Sequence, residues 1–251
     1  GYHALGVNTS GNNNTAVGMR ALEANTTAHN NVAVGSFALD ATTTASNNTA
    51  VGYAAAGANT TGTENVAVGT FALDGCTTGS ENTAIGYEAL SASLTQGGNT
   101  AVGRKALKAC TSGVNTAVGG KTLESTTTGS SNIAMGYAAM TNNTTGSSNV
   151  ALGRNALYTN TTADNNTAIG RSALEVNTTG TQNTSVGTYS LDANTSASNN
   201  TAVGYNTLSA NTTGAENTAV GAKALDASST GAYNTAIGTS ALGSSTTASF
   251  N

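Results

Sequence analysis

Proline and tryptophan are absent from this chain, cysteine occurs twice, and only 8% of the residues are charged. Each shortage excludes something. Without proline, no position forfeits its backbone N–H, so an unbroken main-chain ladder is open to the whole length. Eight Lys and Arg against twelve Asp and Glu give a net charge of −4 and a pI near 5.0. Such a balance offers no basic field for nucleic acid. No apolar run approaches the length of a membrane span, so no membrane insertion is expected.

What remains is dominated by Asn, Thr, Ser, Ala and Gly. That composition alone is compatible with disorder, but its phase is not. Asn-Thr-Ala-Val-Gly, with small variations, returns every seventeen residues, its closing glycine running from Gly18 to Gly238. One interval, Gly103 to Gly119, is sixteen. Self-similarity at a short fixed period predicts a solenoid in which each repeat is one coil. The expectation is a single all-β array over 1–251, about fifteen coils and, from the strand spacing, roughly 70 Å long. Gly1 and Asn251 both fall in phase with the repeat, as expected of a fragment of a longer protein whose anchors and targeting signal lie elsewhere.

The coil Asn200–Glu216 serves as a ruler, numbered as columns 1 to 17. Column 1 is Asn in all fifteen occurrences, from Asn14 to Asn251. Stacked asparagines one strand spacing apart can form an amide ladder. Column 5 is always Gly, which predicts a positive φ or a close backbone approach. Column 9 is Leu except at Ala56 and Met140. In column 2, Thr exchanges with Val32, Val66, Ile133 and Val150. This β-branched exchange predicts that columns 2 and 4 face inward, with Ala of column 3 on a tightly packed opposite face. All twenty charged residues, all eleven aromatics and both histidines fall in columns 6, 7, 10, 16 and 17, which read as solvent-facing corners. Two aliphatic side chains per coil cannot alone offset the entropy of ordering seventeen residues, so ladders and contacts with other chains are expected to contribute.

Two motifs carry a family resemblance. Asn-Val-Ala-Val-Gly at 31–35 and 65–69 and Asn-Ile-Ala-Met-Gly at 132–136 resemble the head repeats of trimeric autotransporter adhesins, which read Ser-Val-Ala-Ile-Gly-x-x-Ala. The longer run at 200–214, from Asn200 through Leu208 to Asn211-Thr212-Thr213-Gly214, is similar to arrays in bacterial and phage tail-fibre-like proteins. The resemblance implies a trimeric left-handed parallel β-roll, and in the fibre-like proteins a trimerising chaperone domain often follows. The added Asn-Thr-Thr segment makes these coils longer than the adhesin coil.

No residue set reads as catalytic, cofactor-binding or metal-binding. Cys76 and Cys110 share column 12 but lie two coils apart, about 9.5 Å, too far for a disulfide within the chain. They read as small replacements for Asn, with bridging between chains as the alternative. His3 and His29 occupy separate coils and read as solvated. The acids form no pair suited to acid–base work. Gly97-Gly98 lacks the context of a phosphate loop, and the turns lack the Asp of a calcium β-roll. Columns 13 and 14 form Thr rows. Leu94 in column 13 suggests that this column points inward, leaving column 14 outside with the Asn of column 12. Such rows serve either as a structural hydroxyl ladder or as an ice- or glycan-facing surface. The Asn-Thr-Thr triplets are also glycosylation sequons, which a repeat produces automatically.

The candidate recognition residues are aromatic. Tyr53, Tyr87, Tyr137 and Tyr205 share column 6, while Phe37, Phe71 and Tyr189 share column 7. Exposed rings on a corner stack on sugars, bind protein or cover a subunit seam. The expected function is therefore a structural or adhesive segment of an extracellular, cell-surface or virion fibre, homotrimeric, without catalysis. Its corner residues would meet a host-surface glycan or protein. The alternative is an ice-binding solenoid using Thr and Asn rows.

Overall fold

The structure, a computed structural model, describes residues 1–93 and 95–251. It is all-β, with fourteen strands of three residues each and no helix among the described residues. Two compact units are present, Gly1–Thr128 and Gly129–Asn251. In the first, β1 (Thr15–Val17), β2 (Val32–Val34), β3 (Thr49–Val51), β4 (Val66–Val68), β5 (Thr83–Ile85), β6 (Thr100–Val102) and β7 (Thr116–Val118) pair parallel in chain order. In the second, β8 (Ile133–Met135), β9 (Val150–Leu152), β10 (Thr167–Ile169), β11 (Thr184–Val186), β12 (Thr201–Val203), β13 (Thr218–Val220) and β14 (Thr235–Ile237) do the same. Like sits over like, as where Ala168 pairs with Ala151 below and Ser185 above. This is the parallel β-solenoid that the seventeen-residue period predicts. The sixteen-residue coil stays in register, and Thr100 pairs with Thr116.

Hydrogen bonding between layers continues beyond the strands. Ser172 N donates to Arg154 O in the preceding layer at 2.9 Å, and Leu174 N donates to Ser190 O in the following one at 3.0 Å. The alternation depends on an unusual backbone. Among the described residues, every non-glycine residue with positive φ falls in column 7, 9 or 17, from His3 to Phe250. Column 9 is the most demanding case: Leu157 has φ 51° and is fully buried. A left-handed conformation costs an L-residue about 1–2 kcal/mol. Glycine would accept it, but would leave the interior without its one large side chain. Column 5 does require glycine. Gly170 has φ +133°, and a Cβ there would lie 2.6 Å from the carbonyl carbon and oxygen of Gly187 in the next layer.

The interior differs from the sequence expectation in columns 2 and 4, in column 12 and in column 13. Columns 2 and 4 face outward. Ala of column 3 is the inward residue of each strand, fully buried at Ala168 and Ala202, so its neighbours must point away. Val17 is 56% exposed and Met135 50%. The core of a coil is thus one Leu with small residues, as in the buried set Ala168, Ala173 and Leu174. Where Ser185 replaces Ala in column 3, Ser190 replaces Ala in column 8, and the Ser185 hydroxyl donates to Ser190 O at 2.8 Å. The two serines also meet through their hydroxyls. The exchange is mutual and satisfied.

Column 12 is the second correction. It lies inside, with Asn160, Asn177 and Asn194 fully buried. Their side-chain amides form a ladder, Asn177 Nδ2 reaching Asn160 Oδ1 at 3.2 Å and Asn194 Nδ2 reaching Asn177 Oδ1 at 2.9 Å. Within a unit the backbone N–H of a column 1 Asn donates to the Oδ1 of the preceding layer's Asn, as Asn166 does to Asn149 at 2.9 Å. Column 13 is the third correction: its threonines lie at the partly exposed edge, not inward. Thr178 Oγ1 donates to Thr195 O in the next layer at 2.9 Å, which is the structural hydroxyl ladder. Leu94, which suggested the inward reading, lies outside the described residues.

Candidate functional site

Two outer surfaces carry chemistry: the corner of columns 6, 7 and 10, and the outward sheet face of columns 2 and 4. In the corner, the left-handed column 7 residue turns the chain and leaves the column 6 side chain projecting. Tyr53, Tyr87, Tyr137 and Tyr205 are accordingly 43–54% exposed. The first unit brings three candidate residues together. Tyr53 meets Phe37 edge-on, with centroids 5.7 Å apart, and Phe71 likewise at 5.4 Å. The Arg20 guanidinium covers the Phe37 ring at 5.3 Å and also pairs with Glu23. Phe37 and Phe71 are half-buried, so Tyr53 is the accessible ring of the three.

Tyr87 sits in a different environment. Its hydroxyl is hydrogen-bonded to Glu88, which raises its pKa. Glu88 in turn binds Lys108 at 2.6 Å, a contact that lowers the carboxylate's pKa and raises that of the amine. Lys105 and Glu124 form a second ion pair at 3.8 Å. These cations are matched by acids.

The second unit differs. Tyr137 and Tyr205 stand in one row with Arg154 and Arg171 between them. The row is tied by backbone bonds: Asn155 N to Tyr137 O at 3.2 Å, Ser172 N to Arg154 O, and Tyr189 N to Arg171 O at 3.0 Å. Arg171 lies over the Tyr189 ring at 5.4 Å. Among the described residues neither Arg154 nor Arg171 has an ion pair. Glu175 is the acid nearest Arg171 in sequence, and it accepts from Asn155 Nδ2 at 3.1 Å. Sequence reasoning singled out the tyrosines and passed over these two arginines, although the shared column 6 was visible.

Column 10 acids pack against the turn. Burial raises the pKa of Asp40, Asp74 and Asp192. Asp74 Oδ1 and Asp192 Oδ1 are buried without a hydrogen-bond partner.

The sheet face is apolar and free of charge. In the second unit its column 4 row is Met135, Leu152, Ile169, Val186, Val203, Val220 and Ile237, every member at least partly exposed. Beside it in column 2 stand Ile133 and Val150, then five successive threonines from Thr167 to Thr235.

The remaining candidates are accounted for structurally. Cys76 and Cys110 are free and fully buried, so neither thiol faces another chain. Desolvation raises both pKa values, that of Cys110 to about 11. His29 Nδ1 accepts from Asn12 N at 2.9 Å, and His3 Nδ1 lies 3.7 Å from Glu23. Sequon asparagines such as Asn160 and Asn211 are fully buried and closed to modification in the folded chain. Among the described residues no three of His, Cys, Asp and Glu gather to hold a metal ion, and no helix is long and apolar enough to cross a membrane.

No family model, curated protein or solved structure matches this chain. The resemblance to adhesin head repeats therefore rests on the repeat motif itself.

Proposed function

We propose that this chain is a structural and adhesive segment of an extracellular, cell-surface or virion fibre, assembled as a homotrimer through the outward sheet face. The observation that carries this reading is the column 2 and 4 surface: uncharged, rich in Val, Ile, Leu and Met, and half-exposed along each unit. Contiguous apolar surface of this kind marks an interaction site in a soluble chain. A second copy is the fitting occupant, because a row repeated at the strand spacing is matched in period by the same row on another copy. The corner columns then remain outside for attachment.

Sedimentation or mass photometry of the chain tests the assembly: three copies are expected, and a folded monomer at every concentration overturns it. Val203→Lys and Ile169→Lys, placed on the face, should dissociate the trimer without loss of β structure.

One observation favours a second reading. The uninterrupted threonine row from Thr167 to Thr235, beside Val and Ile on parallel strands in register, is the regular hydroxyl-and-methyl array that an ice-binding surface requires. It moves the alternative from columns 12–14 to columns 2 and 4. Thermal hysteresis of the unmodified chain separates the two, since a fibre segment shows none.

A further inference from the structure

Two arginines stacked on adjacent layers without a carboxylate form an electrostatic anomaly in a chain of net charge −4. Arg154 and Arg171 occupy column 6 of consecutive coils, one layer or roughly 4.8 Å apart in the backbone. Like charges stacked one layer apart repel each other. Elsewhere on the same corner three cations have an acid partner: Lys108 has Glu88, Lys105 has Glu124 and Arg20 has Glu23. Arg154 and Arg171 have none among the described residues, and they alone of the cations stack on consecutive layers of column 6. Glu175, in the Arg171 coil, is engaged by Asn155, and both guanidinium-bearing residues are exposed.

Aromatic rings bracket the pair on both sides. Tyr137 precedes Arg154 by one layer, Tyr189 packs under Arg171, and Tyr205 stands two layers beyond Arg171. Guanidinium groups bind carboxylate and sulfate oxygens through paired N–H donors. Exposed tyrosine rings present an apolar face and a hydroxyl, which suits the C–H faces and hydroxyls of sugars. The row runs along the stacking direction, so a linear polymer can meet its members in turn.

We propose that the strip Tyr137–Arg154–Arg171–Tyr205 binds a linear polysaccharide bearing carboxylate or sulfate groups. This deepens the attachment role assigned above to the corner columns. It does not depend on the trimer, because the whole strip lies within one unit of one chain. The two arginines hold the anionic groups and the tyrosines stack on neighbouring sugar rings.

Binding of the chain to immobilised heparin, polygalacturonate and uncharged dextran tests this, with single-stranded DNA as a competing polyanion. Heparin, polygalacturonate or both should bind, dextran should not, and binding should weaken as salt rises. Heparin alone assigns sulfate, and polygalacturonate alone assigns carboxylate. Arg154→Gln with Arg171→Gln should weaken binding about tenfold or more, the scale of one to two charge-assisted hydrogen bonds. Circular dichroism should be unchanged, since both side chains are exposed. Tyr205→Ala gives an independent loss, whereas Lys121→Gln on the other unit should bind as the unmodified chain does. No binding to either anionic glycan, equal binding to dextran, full binding by the double variant, or preference for DNA over both glycans overturns the assignment. A monomeric mass with intact heparin or polygalacturonate binding would sink the trimer alone.

Discussion

Asn149 and Asn160 share one acceptor: both side-chain amides donate to the carbonyl of Ala163, at 2.8 and 3.1 Å. Through that oxygen the two asparagine rows of a coil, columns 1 and 12, are joined. Each row also reaches neighbouring layers, since Asn149 Oδ1 accepts from Asn166 N and Asn160 Nδ2 donates to Asn143 Oδ1. The interior is therefore held as much by amides as by Leu.

Asn149→Ala removes the acceptor of Asn166 N and one donor to Ala163 O. A buried group left unpaired costs about 1–3 kcal/mol. Hydrogen exchange should show protection lost first in the layers of Asn149 and Asn166, because a repeat array unfolds through neighbour interfaces. Asn165→Ala, on the exposed neighbouring position, should leave protection at Asn166 in place.

Leu157→Ala should cost about 2–5 kcal/mol, as a buried Leu truncation does. Its positive φ changes the usual ranking of small residues. Leu157→Gly recovers about 1–2 kcal/mol of left-handed strain, so it should be no less stable than Leu157→Ala in denaturant melts. In an ordinary strand or helix, Gly would be the worse of the two.

Individual columns show where the sequence was legible and where it was not. Register was legible because identical columns must superpose for Asn and Gly to recur without exception. The facing of columns 2 and 4 was not: a Thr–Val exchange fits an inward or an outward β-branched position equally. Asn of column 12 reads from sequence as an outer-face residue beside column 14, and only the shared carbonyl at Ala163 explains its burial. The left-handed Leu of column 9 leaves no compositional trace, because core packing overrides its backbone preference. At the corner, composition located the tyrosines, while the unpaired state of Arg154 and Arg171 emerged only once Glu175 was seen turned to Asn155.

Asp192 gives a pH test. Burial raises its folded-state pKa above the ordinary 3.8, and Oδ1 has no partner. A raised pKa means the stabilising contribution is present below the unfolded value and lost as pH rises through the folded one. Asp192→Asn should therefore raise the thermal midpoint at pH 7, with the gain disappearing in acid below the ordinary value. Asp74→Asn should behave alike, its pKa raised by the same cause.

Cys110 reports at the alkaline end. Its folded-state pKa of about 11 against an ordinary 9.0 predicts that stability falls as pH rises from the lower value through the higher. At pH 8 the buried thiol should resist Ellman's reagent until the surrounding layers open. Rapid labelling of the native chain would contradict its burial. Cys110→Ser should leave reaction only at Cys76, at a rate set by opening of its own layers.

Because each layer bonds its neighbours through the same columns, a gene segment encoding one whole coil is interchangeable with any other. Duplication or excision by unequal crossing-over in units of seventeen codons preserves every facing pair. Other sizes of insertion shift Asn off Asn and Gly off Gly. The sixteen-residue coil marks the tolerated exception, one residue shorter with Thr100 still paired to Thr116. Chain length in relatives of this sequence should accordingly vary in steps of a coil, making reach the trait that selection adjusts most easily.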